Sequence, residues 1–204
     1  MSKVEVHYFD VRGLGEAIRT LLAYGGEKFE DIRYTDEQWE EFRSSTPFGQ
    51  LPILVINGKV YSQSNAMARY LGRKYGLAGG SVEEEFEIDQ NVDFFTEFRS
   101  VSADAYYEED PEVRSKKIDK LFKDTAPRML KKLDEIITSN NGYLALGKLT
   151  WGDFVFAGIY DYIKYMLQSP DLDVKYPSFK KLVDAVNTIP NVQAFKEKAP
   201  KTDV

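Results

Sequence analysis

Thr46-Pro47-Phe48-Gly49-Gln50-Leu51-Pro52-Ile53-Leu54-Val55-Ile56-Asn57-Gly58-Lys59-Val60-Tyr61-Ser62-Gln63-Ser64 is the stretch from which the fold can be read. Asn57-Gly58 is the pair most favoured for a two-residue hairpin turn, because both positions tolerate positive φ. It predicts antiparallel strands over Ile53–Ile56 and Lys59–Tyr61. Pro52, at the first residue of a strand, donates nothing to the ladder and leaves neighbouring backbone groups free for another partner. Ser62-Gln63-Ser64 then opens a helix to Tyr75 with Ala68, Leu71 and Tyr75 on one face and Gly76 placed as its left-handed cap.

Upstream, Lys3–Phe9 reads as a strand. A helix follows over Gly15–Tyr24, with Ala17, Ile18, Leu21 and Leu22 at helical spacing before Gly25-Gly26, and Phe29–Tyr34 reads as a second strand. The order is βαβ, then ββα. Downstream the pattern is helical almost throughout. Ser81 and Glu84 predict a capping box opening a long helix, with Ile88, Val92, Phe95, Phe98 and Val101 on its stripe to about Tyr107. A second long helix is expected from Pro111 to Thr138, bent or restarted near Pro127, which lacks an amide proton. Thr150 and Asp153 form another capping box, with Leu149 and Phe154 as a hydrophobic staple, ahead of a helix through Phe156, Ile159, Ile163 and Leu167 that is apolar on more than one side. Shorter helices are predicted over Ser178–Asn187 and Pro190–Lys198.

Composition narrows the chemistry. The 204 residues contain no cysteine and one histidine, His7. Thiolate nucleophiles, iron–sulfur clusters, structural zinc and imidazole-rich metal sites are thereby excluded, and a serine triad would have to be built on His7. Proton chemistry falls to tyrosine or carboxylate. A net charge of −6 argues against nucleic acid, and the basic run Arg114-Ser115-Lys116-Lys117 follows four acids as a solvated helix face. Met1–Val6 carries charge where a signal peptide needs an apolar core, and no stretch approaches a membrane span, so the expected location is the cytosol.

Taken singly, the polar candidates have ordinary readings. Tyr8 at a strand end reads as a core aromatic with a wet hydroxyl, Trp39 and Arg43 as a surface cation–π pair if Gln38–Arg43 is helical, and Ser64 as a plain N-cap. Strand ends facing loops, and helix N-termini with free amides, are also where α/β sheets place ligands and anions.

Together, Tyr8, Trp39, the basic Arg43, Pro47-Phe48-Gly49-Gln50 before Pro52, and Gln63-Ser64 resemble the glutathione site of the glutathione transferases, most closely the sigma class. The Thr150–Asp153 box resembles that family's C-terminal-domain signature, and Lys59–Ser64 and Arg69–Gly79 resemble arthropod members. The resemblance implies an α/β thioredoxin-like domain (βαβαββα) over residues 1–78 and an all-α domain over 81–204. It also implies glutathione as co-substrate without a metal, a hydrophobic electrophile as second substrate, and a homodimer with neither nucleic acid nor membrane as partner.

By the same resemblance Tyr8 donates its hydroxyl hydrogen bond to the glutathione sulfur. Leu51, ahead of a cis Pro52, pairs with the cysteinyl part, Trp39 and Arg43 hold the glycyl end, and Gln50, Gln63 and Ser64 complete the clamp. Asp89, Asp93 and Glu97 are spaced i, i+4, i+8 and read as a solvated face, but Glu97 takes the place of an acid that in the sigma class reaches the partner subunit's glutathione. Leu14 departs from vertebrate members, which carry arginine there, leaving the thiolate less assisted or the site more apolar. The electrophile is expected against Phe9, Gly13, Leu14, Arg99, Ala103 and Tyr107. Three functions stay open on these residues: conjugation of hydrophobic electrophiles in detoxification, lipid-peroxidation products among them; prostaglandin D synthase-like isomerisation; and a crystallin-like structural or carrier role.

Overall fold

The computed structural model describes residues 3–202. Four strands, β1 (Val4–Phe9), β2 (Glu30–Tyr34), β3 (Ile53–Ile56) and β4 (Lys59–Ser62), form one sheet in the order β2-β1-β3-β4. β1 runs parallel to β2 and antiparallel to β3, and β3 pairs antiparallel with β4. Asn57 and Gly58 both have positive φ (52° and 80°), so the turn chemistry sets the register Ile56↔Lys59.

Alternation along β1 decides what each face meets. Val4, Val6 and Tyr8 point into the core with α1 (Glu16–Tyr24) and α3 (Ser64–Lys74), whose Ile18, Leu21, Ala68 and Leu71 are fully buried. His7 faces the other way. Its ring stacks on Tyr34 and on Phe42 of α2 (Asp36–Phe42), and its nitrogens meet the Tyr34 hydroxyl and Glu5, not a serine. α2 itself buries none of its residues; Thr35 and Gln38 close its N-terminus with a reciprocal box.

The helical part comprises α4 (Val82–Tyr106), α5 (Pro111–Lys120), α6 (Ala126–Ser139), α7 (Trp151–Met166), α8 (Leu172–Lys175), α9 (Pro177–Asn187) and α10 (Pro190–Lys198). The expected order, βαβαββα followed by helices alone, is the one observed. α7 is central: it packs against α1, α3, α4 and α9, and its Phe156 stacks among Phe95, Tyr160 and Phe179. Leu149 is half-buried against the core, of which fully buried Phe154 is a member.

The helix expected over 111–138 restarts near Pro127 as expected, through a π-turn at Leu121–Thr125 whose Ala126 amide bonds back to Leu121. Three details differ from expectation. Ser81 accepts from the Glu84 amide, but the Glu84 carboxylate reaches past it to the Gly80 amide (2.8 Å), so the box is not reciprocal. Val101 is 37% exposed while Ser102 is fully buried, because a regular helix carries the stripe from Phe95 and Phe98 to position 102, where the hydroxyl satisfies itself on the Phe98 carbonyl. α8, a single turn that buries Leu172, has no counterpart in the sequence reading. Residues 1, 2, 203 and 204 of the two expected domains lie outside the described residues.

Candidate functional site

Tyr8 ends the buried face of β1, and the chain after it is shaped around its ring. A Cβ on Gly13, whose φ is +39°, would lie 2.9 Å from the Tyr8 hydroxyl, and one on Gly15 would lie 2.8 Å from the ring carbons. Only glycine allows that approach. Between them, the Leu14 amide donates to the Tyr8 oxygen at 3.2 Å. Because that oxygen accepts from the backbone, its own proton remains available to an acceptor in the cleft. Burial pushes the Tyr8 hydroxyl up from its ordinary value, against opposing pulls from the Leu14 amide and from the Arg19 and Arg99 guanidiniums. It is therefore protonated at neutral pH, a donor and not a base. Arg19, fully buried, stands 5.8 Å from the ring centre and is held by Asp31 and the Val11 carbonyl.

Two clefts share Phe9, the residue that follows this tyrosine, and Tyr8 itself lines only the second of them. The first, about 590 Å³, brings together Trp39 and Arg43 from α2 and the turn after it, Gly49 through Pro52 from the loop before β3, and Ser62, Gln63 and Ser64 at the start of α3. The Leu51–Pro52 bond is cis. Trp39 stands edge-on to Phe9, and among the described residues it makes no cation–π pair with Arg43; both line the cleft instead. Gln63 occupies the N-cap of α3 with φ +74° and closes no side-chain cap bond, and the buried Ser62 hydroxyl has no partner. The first amides of α3 and this hydroxyl are unsatisfied donors at the positive end of a helix dipole, an arrangement suited to a carboxylate.

The second cleft, about 670 Å³, lies on the other side of Phe9 and is lined by Tyr8, Gly13, Tyr34, Tyr107 and Tyr162, with Asp10, Asp36 and Glu37. The Tyr162 hydroxyl donates to that of Tyr107 at 2.8 Å. The expected electrophile residues thus divide: Leu14 and Arg99 line the first cleft, Gly13 and Tyr107 the second, and Phe9 both. Ala103 lines neither and packs against the core. Glu97 is exposed on α4 and lines neither, and nearby Asp89 is held by Arg69 at 2.7 Å.

Sequence reasoning missed Tyr162, Asn65 and Thr96. Asn65 and Thr96 line the first cleft and bond to each other at 2.9 Å, tying α3 to α4. The helical period of α7 puts Tyr162 on a face distinct from its buried stripe, a signal too faint to separate one tyrosine from 13. Among the described residues no helix is long and apolar enough to cross a membrane.

Comparison with known proteins adds an independent line. Residues 4–73 match the family model described as glutathione S-transferase, N-terminal domain, and residues 96–199 match the corresponding C-terminal domain. Glutathione S-transferase 2 of Manduca sexta is 52% identical over 203 residues, covering the whole of both chains. Glutathione S-transferase S1 of Drosophila melanogaster is 42% identical, covering 97% of this chain and 79% of the other. Prostaglandin synthase D of Nilaparvata lugens, a solved structure, superposes with a TM-score of 0.92 at 40% identity, covering 98% of this chain and all of the other.

Proposed function

Since this chain belongs to the glutathione S-transferase family and is a glutathione transferase, we propose that Tyr8 is the residue that activates its thiol, in an enzyme of the sigma class. The carrying observation is the Leu14 amide on the Tyr8 oxygen, which leaves the phenolic proton free next to Leu14, a residue of the cleft that also holds the open start of α3. Glutathione lies in the first cleft, its γ-glutamyl carboxylate at Gln63 and Ser64, its cysteinyl backbone against Leu51 and Pro52, and its glycyl end at Trp39 and Arg43 beside Gln50. The Tyr8 hydroxyl donates to the sulfur. A hydrogen bond to a charged acceptor contributes about 1.5–3 kcal/mol, enough to bring a free thiol from about 8.5 down by about 1–2 units, so that thiolate is plentiful near neutral pH.

The electrophile enters from the second cleft over Phe9, Gly13 and Tyr107, with Leu14 and Arg99 at the junction. Hydrophobic electrophiles, lipid-peroxidation products among them, suit these aromatic walls. The thioredoxin-like domain takes residues 1–78 and the helical domain 81–204. Exposed Phe48 and Phe86 (64% and 69%) support burial in a homodimer, which would also bring exposed Glu97 toward the partner's glutathione. A cysteine-free chain suits a cytoplasmic location. The likeness to the prostaglandin synthase D structure favours one second reading, glutathione-dependent isomerisation of a prostaglandin endoperoxide by the same thiolate.

Replacing Tyr8 with Phe tests the assignment. Conjugation of an aryl halide should fall about 10- to 100-fold in kcat/KM, and the thiol of bound glutathione, followed by thiolate absorbance, should titrate at higher pH. Unchanged turnover and titration would remove Tyr8 from the mechanism.

A further inference from the structure

The two clefts that share Phe9 differ in charge. The first holds the cations Arg43 and Arg99 and the open amides of α3. The second is lined by three carboxylates, Asp10, Asp36 and Glu37, and by no lysine or arginine among the described residues. Asp36 and Glu37 occupy the first turn of α2, where the helix dipole favours anions, and neither forms an ion pair among the described residues. The Glu37 carboxyl is held below the usual range by its own backbone amide and the Thr35 hydroxyl, so it is charged at neutral pH. Asp10 does meet Arg33 at 3.0 Å, but that guanidinium is shared with Asp31, and the Asp10 side chain stays 65% exposed. The rim therefore carries two carboxylates without an ion pair among the described residues and a third that shares Arg33 with Asp31, beside the thiolate, itself an anion.

We propose that this rim makes the enzyme select uncharged electrophiles and reject those bearing a carboxylate, so that the second cleft takes neutral aldehydes, enones and aryl halides in preference to fatty-acid or endoperoxide acids. The inference rests on the transferase reading above, specifies its second substrate and counts against the isomerase reading. The three carboxylates are exposed, so an anionic tail approaching them is repelled through water until salt screens them.

A matched pair of dinitroaryl chlorides, one with a carboxamide and one with a carboxylate para to the chlorine, isolates the effect. In both, the glutathione sulfur forms the new bond to the ring carbon, chloride leaves with the electron pair, and the thiol proton goes to solvent. After division by the uncatalysed rates, kcat/KM should favour the amide about tenfold at low ionic strength and less than about threefold in 0.5 M salt. The Asp10→Asn/Asp36→Asn/Glu37→Gln variant should lose the preference at low salt. Equal efficiency on the two compounds, or a preference indifferent to both salt and the triple substitution, would overturn the proposal while leaving the transferase intact. The salt series needs only the wild-type protein. Absence of glutathione-dependent turnover of either compound would instead overturn the transferase reading, and this proposal with it.

Discussion

Two helix starts in this molecule carry opposite solutions to the same problem. At the N-terminus of α7, each oxygen of the buried Asp153 carboxylate is used: one accepts the Leu144 amide (2.7 Å), the other the Thr150 amide (2.6 Å) and hydroxyl (3.0 Å). At the N-terminus of α3, Gln63 turns to positive φ, no side chain closes the cap, and the Ser62 hydroxyl beneath it has no partner. Every helix begins with amides that its own ladder cannot satisfy. Where the protein satisfies them itself, the result is a rigid joint. Where it leaves them open beside a cleft, the result is affinity for something else.

The contrast is broken most directly at α7. Asp153→Ala leaves buried donors unpaired, and chemical denaturation should register a loss of about 3–5 kcal/mol, with glutathione KM in the surviving folded fraction little changed. A loss under about 1 kcal/mol would mean that the box is not a rigid joint. Acidity probes the same carboxyl. Burial pushes Asp153 up to about 6, above its ordinary 3.8, despite the hydrogen bonds it accepts. A folded-state pKa raised in this way gives stability that is present at low pH and lost as pH rises through about 6. Relative to Asp153→Asn, the wild-type protein should therefore gain up to about 3 kcal/mol between pH 7 and pH 4. At α3 the expectation reverses. Ser64→Ala should raise the KM for glutathione about tenfold, a charge-assisted hydrogen bond lost, while stability moves by less than about 0.5 kcal/mol because alanine is a good residue for a first helical turn. A clear loss of stability with unchanged KM would show that α3 was capped after all.

This difference also explains what could be read from the sequence. The α7 box is written in side chains at fixed spacing, Thr150 and Asp153 with the Leu149/Phe154 staple, so its location needs no coordinates. The hairpin at Asn57-Gly58 is legible for the same reason. Where the period of a helix must be extrapolated, as at Val101 and Ser102, an error of one residue exchanges an exposed position for a buried one. The Ser81/Glu84 pair has the spacing of a box, yet the carboxylate chooses the Gly80 amide, a choice made by local geometry that spacing does not encode. At the cleft, Gln63 is a residue type that seldom takes positive φ, and the Tyr107–Tyr162 pair joins residues 55 apart. Neighbourhoods of that kind are properties of the packed chain.

Gly72 of α3 lies against Trp151, where a Cβ would stand 2.6 Å from the tryptophan side chain, and the Trp151 amide donates to the Leu77 carbonyl at 3.0 Å. The first residue of the closed helix is thus seated on the far end of the open one. For modular exchange this is a compatibility rule. A chimaera that joins this sheet unit to a foreign helical half should retain catalysis only if the recipient keeps both a glycine at the seam and an indole to meet it, so recombination between distant relatives is constrained at a point remote from any substrate.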